Sequence, residues 1–134
     1  MKRITLNALI GTCLLALSAL AFAAGDAKPA ENGYMQQRVV YHINDIDSAN
    51  SALRNVKNHL NALGDQNAEI IVVTHSSGAL ALVDGSEDAK GNHFADTVQK
   101  LANRGVKFQI CENTIRGKKI DRSKINLIEI KYPA

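Results

Sequence analysis

Between residues 38 and 43 the run Arg-Val-Val-Tyr-His-Ile is β-branched and aromatic, and Asn44 and Asp45 close it, which predicts a first strand. There the period changes. Ala49, Ala52, Leu53, Val56, Leu60 and Leu63 recur at helical spacing, so a helix reaches about Leu63, capped by Asp47 or Ser48 and stopped by Gly64. Residues 69–74 hold an Ile-Ile-Val-Val core that is apolar on both faces, the signature of a strand covered by helices on both sides. His75, Ser76, Ser77 and Gly78 then turn the chain into a short buried helix over residues 79–83. A polar segment, residues 84–92, crosses the surface. Phe94, Val98 and Leu101 mark the inward side of a third helix over residues 94–103. After Gly105, Val106, Phe108 and Ile110 alternate with Lys107 and Gln109, which predicts a strand delivering Cys111 into a polar loop. A basic connection leads to a final strand over residues 127–132, and residues 24–37, without periodicity, form a flexible lead-in.

Strand and helix alternate with connections long enough for crossovers. That order predicts an α/β domain with a mainly parallel sheet, doubly wound and flavodoxin-like. In such a sheet ligands bind beyond the carboxyl ends of the strands. His42, Asn44 and Asp45, then His75, Ser76 and Ser77, then Cys111, Glu112 and Asn113 should therefore face a common region.

The first residues carry an address. Lys2 and Arg3 precede a mostly apolar stretch up to Leu20, and Ala21-Phe22-Ala23 fits a small-x-small cleavage site, so residues 1–23 read as a secretory signal peptide. The apolar run is too short and interrupted for a membrane span, and after cleavage no membrane association is expected. Thr12 is a poor neighbour for a lipid-modified Cys13. Cleavage would place the protein in the periplasm or outside the cell and leave one domain, residues 38–134, behind its lead-in. It would also remove two of the 16 basic residues, so the formal charge of +3 falls to +1. Trp is absent and aromatics are few, which argues against a nucleic-acid stacking platform.

Cleavage would also leave Cys111 as the one cysteine. In an oxidising compartment a lone cysteine is either a buried, inert residue or an accessible reactive thiol. The residues leave both open. A helical turn capped by Asn113 or Thr114, together with Arg116, Lys118 and Lys119, would favour the thiolate, while Glu112 would oppose it. His75 and His42 are the candidates for polarising the thiol, and Asn44, Ser76, Asn113, Thr114 and Arg116 for holding a ligand beside it. No paired metal-ligand spacing is present, so a centre built from His42, His75 or His93 with Cys111 is not expected, nor is any cofactor. Thr74 to Gly78 resembles a nucleophile elbow around Ser76, but the first glycine is missing and the chain is short for a hydrolase. Serines capping the following helix explain that turn more simply. The basic run of Arg116, Lys118, Lys119, Arg122 and Lys124 reads as a solvated loop able to draw small anions toward Cys111.

Gly105-Val106-x-Phe108-x-x-Cys111-x-Asn113-Thr114, followed by a basic segment and Ile120-Asp121, resembles the DsrE/DsrF-like family of sulfur-relay proteins in its exported branch. Val39-Val40-Tyr41-His42 and the Asn- and Leu-rich helix up to Leu63-Gly64 carry the same likeness. The resemblance implies a three-layer α/β/α sandwich of the DsrEFH type, frequent homo-oligomers, and a cysteine that carries persulfide sulfur between a donor and an acceptor protein. Only Cys111 matches the position of that cysteine. Such a chain is at most a sulfurtransferase-like carrier. The alternative is a non-catalytic small-ligand-binding or oligomeric interaction module with a buried cysteine.

Overall fold

Three strands, β1 (Gln37–Ile43), β2 (Ala68–Thr74) and β3 (Lys107–Ile110), lie side by side in the order β1-β2-β3 and are parallel throughout. The computed structural model describes Gly33 and residues 35–125. The signal peptide expected at residues 1–23, most of the lead-in and the strand expected at residues 127–132 lie outside the described residues. The α/β class and the parallel sheet stand as the alternation of periods predicts.

Register explains which residues meet. Val39 pairs with Ile70, Tyr41 with Val72 and Ile43 with Thr74, and Val72 and Thr74 pair in turn with Phe108 and Ile110. These side chains share one face, because alternate residues of a strand point the same way. Helix α1 (Ile46–Leu63) covers that face with Ala49, Leu53, Val56, Leu60 and Leu63, all buried. Helix α2 (Ala95–Asn103) adds Val98 and Leu101, and Phe94 is sealed just before it. Each such side chain removed from water contributes roughly 1.5–3 kcal/mol.

The other face differs from expectation. It carries Arg38, Val40 and His42 from β1, Ile71 and Val73 from β2, and Lys107 and Gln109 from β3. Val40 is 64% exposed, and Ile71 and Val73 are half-buried rather than sealed. Among the described residues this second face of β2 is only partly covered. At the amino end of this face Glu69 bridges Arg38 at 3.1 Å and Lys107 at 3.0 Å. The hydrogen bond from Lys107 and the charges of Lys107 and Arg38 lower the Glu69 pKa.

Two connections set the geometry around the strand ends. Asp45, rather than Asp47 or Ser48, caps α1: its carboxylate accepts from the Ser48 N–H at 3.0 Å. The buried segment after β2 is a 3-10 helix, Ser76–Leu82, one turn earlier than the periodicity suggests. It sits close to β1 because of Gly78, where a Cβ would fall against the Ile43 carbonyl and within 2.9 Å of the Asp45 nitrogen. Only glycine fits that approach.

Candidate functional site

Strand β3 ends at Ile110, and the Cys111 N–H continues the ladder by donating to the Thr74 carbonyl at 3.0 Å. Helix α3 (Glu112–Lys118) begins at the next residue, so Cys111 is itself the N-cap, the place sequence reading gave to Asn113 or Thr114. The cause is local. Cys111 is extended, and its carbonyl receives the N–H groups of Thr114 at 3.0 Å and Ile115 at 3.1 Å, with buried Ile115 anchoring the turn. Ile110 points into the core and Cys111 is half-buried, so the thiol is not sealed in the core.

The thiol pKa is lowered. Hydrogen bonding from the Thr114 backbone is the main cause, the Thr114 hydroxyl is the second, and the Asn113 backbone adds to them against some desolvation and the charge of Glu112. Donors of this kind stabilise the thiolate over the thiol. The Thr114 hydroxyl is fixed from its far side, since the Ser76 N–H donates to its oxygen at 3.2 Å. That bond leaves the hydroxyl proton available to Cys111. Ser76 reaches Thr114 from a left-handed backbone, φ 51°, a conformation seldom adopted by residues other than glycine.

His42 and His75 come together as expected. Their rings lie 4.3 Å apart, tilted by 38°. His75 follows Thr74 and Cys111 follows Ile110, and Thr74 and Ile110 pair in register, so both residues stand just past the ends of neighbouring strands. His75 Nδ1 is 3.0 Å from the Ser76 hydroxyl. Ser76 and Ser77 do not cap the following helix through their side chains. The Ser77 hydroxyl instead reaches Asp45 Oδ1 at 3.4 Å and the Asn44 carbonyl at 3.5 Å.

The remaining candidates divide. Arg116 is exposed, donates to Asn113 Oδ1 at 2.7 Å, and stands 3.9 Å from Glu112, whose carboxylate is also paired with Arg122. These contacts offset much of the Glu112 charge next to the thiol. His93 lies apart on the polar segment, 3.9 Å from Glu87. Among the described residues no cluster of histidine, cysteine and carboxylate side chains is arranged to hold a metal ion.

Sequence reading missed two networks. His59 is not a plain surface residue: it is half-buried, with the Tyr41 hydroxyl 2.9 Å from Nδ1 and Gln37 Oε1 2.9 Å from Nε2. The side-chain carbonyl of Gln37 can only accept, so Nε2 carries a proton, and in the neutral ring the Tyr41 hydroxyl then donates to Nδ1. The polar segment 84–92 is also ordered around Asp88, which accepts from the backbone of Lys90 and Asn92 and from the side chains of Asn92 and Asn50. An aspartate followed by a glycine and an asparagine within four residues was the available signal for such a turn.

The model of the DsrE/DsrF-like family matches residues 37–132. The chain belongs to the DsrE/DsrF-like family. As a family, DsrE/DsrF-like proteins serve in sulfur relay. Two solved structures share the DsrE-like fold with this chain. A protein of unknown function, MTH1491 from Methanobacterium thermoautotrophicum, is 29% identical, with a TM-score of 0.60 over 72% of this chain and 81% of its own. The E. coli YchN protein is 18% identical, with a TM-score of 0.56 over 66% of this chain and 76% of its own. No curated protein matches the sequence.

Proposed function

We propose that this DsrE/DsrF-like protein is an exported sulfur carrier in which Cys111 holds sulfur as a persulfide. The observation that carries the reading is the half-buried Cys111 at the N-cap of α3, its thiol pKa lowered chiefly by Thr114, at the carboxyl edge of a parallel sheet. In the loading step the Cys111 thiolate attacks the outer sulfur of a donor persulfide. A new S–S bond forms at Cys111, the donor S–S bond breaks, and its electron pair leaves on the donor thiolate. Unloading is the same exchange run toward an acceptor thiolate. The paired rings of His42 and His75 offer proton-sharing groups beside the terminal sulfur. The signal-peptide pattern of residues 1–23 supports export, and the apolar positions of the open sheet face, Val40 above all, support self-association.

Mass spectrometry of the folded protein after exposure to a low-molecular-weight persulfide tests the carrier. The expected result is a gain of one sulfur atom at Cys111, reversed by a thiol acceptor and absent in Cys111→Ser. A wild-type protein that gains no sulfur while still folded would sink the reading and leave the interaction module. Cell fractionation reads export directly, and sedimentation of wild type against Val40→Lys reads self-association.

A further inference from the structure

The Asp88 turn does more than close a loop. It is held against the amino-terminal half of α1 by two bonds, Asn50 Nδ2 to Asp88 Oδ2 at 2.9 Å and the Ala89 N–H to Asp47 Oδ1 at 3.1 Å. Between loop and helix lies a cavity of about 220 Å³, walled by Asp47, Ser51 and Arg54 on one side and Asp88, Lys90 and Asn92 on the other. That volume is below the roughly 300–1,000 Å³ of sites for drug-sized ligands and suits a small metabolite.

The free valences define what fits. Asp88 has none to offer: its two oxygens already accept five hydrogen bonds, so a cation would find no open carboxylate there. The Lys90 ammonium has no partner among the described residues, and the Arg54 guanidinium spends one N–H on the Ser51 hydroxyl at 3.1 Å. That bond folds Arg54 back over Ser51, one helical turn and about 6 Å of axial rise from Asp47. Asp47 uses one oxygen on Ala89 and keeps the other. Two cations and one carboxylate oxygen thus line the same cavity.

We propose that this cavity binds a small α-amino acid, its carboxylate on Arg54 and Lys90 and its ammonium on Asp47. A simple anion would meet the Asp47 charge and a simple amine the Arg54 and Lys90 charges, whereas a zwitterion satisfies both walls. The site is separate from Cys111 and stands or falls independently of sulfur chemistry.

Titration calorimetry of the full chain with glycine, L-serine and L-glutamate tests it, with acetate and methylammonium as single-charge probes. At least one amino acid should bind saturably and more tightly than either probe. Arg54→Gln and Asp47→Asn should each weaken it by at least about tenfold, the loss of one charged hydrogen bond. Asp47→Asn keeps an oxygen for Ala89 and Arg54 is exposed, so circular dichroism should stay unchanged in both. No saturable heat up to about 10 mM overturns the proposal. So does acetate binding as tightly as glycine, or binding indifferent to both substitutions.

Discussion

Thr114 is the residue on which the thiol depends most, because its backbone and hydroxyl are the leading causes of the lowered Cys111 pKa. Thr114→Val keeps the shape and removes the hydroxyl, so iodoacetamide should alkylate Cys111 with a midpoint at higher pH than in wild type, while Thr114→Ser should restore it. An unchanged midpoint would assign the effect to the backbone alone. The lowered pKa also links to stability. Where the folded thiol is ionised and the unfolded one is not, the unfolded chain binds more protons, so stability rises with pH across that window. The contribution is fully present above the unfolded thiol pKa of about 8.5 and is lost as pH falls through the folded value. Urea midpoints across this alkaline range should rise for wild type relative to Cys111→Ser. The sequence showed this cysteine and its partners as neighbours in the chain. It did not show Ser76 closing on Thr114 from 38 positions away, because that contact needs a left-handed serine that no propensity announces.

The elements repay the same scrutiny. Periodicity located α2, the end of α1 and the three described strands to within a residue or so, since each buries one apolar stripe or face. Caps were less legible, because Asp45, Asp47 and Ser48 are all good N-cap residues and the sheet register decides which one stands at the boundary. Asp45→Ala should cost about 1 kcal/mol, a fall in melting temperature of roughly 4–8 °C for a domain of this size. Gly78→Ala should cost more, about 1–3 kcal/mol as for other overpacked sites, because backbone rather than a movable side chain occupies the space. The polar segment makes a pH-dependent prediction. Hydrogen bonds from Asn92, first its side chain and then its backbone, hold the Asp88 carboxyl well below the usual range. Its contribution is therefore complete above the ordinary aspartate pKa and is lost only in stronger acid. The amide signals of Lys90 and Asn92 should keep their neutral-pH positions until well below pH 4, and in Asp88→Ala they should shift at every pH.

Across the molecule, the parallel order gathers the candidate site residues at one edge, and one sheet face is only partly covered among the described residues. Sequence reading had the first of these right, because crossover connections leave little choice of direction. On the second, Ile71 and Val73 read as core and are partly covered among the described residues. The bond from the Cys111 N–H to Thr74 has a dynamic meaning of its own. It makes Cys111 the final rung of the ladder, while most of α3 beyond it is exposed. In hydrogen–deuterium exchange the Cys111 amide should stay protected along with β2, opening only when the sheet does, and the amides of Arg116 to Lys118 should exchange by local fraying. The sulfur would then be mounted on the slowest-breathing part of the fold, with its supporting helix able to open and close without carrying the thiol away.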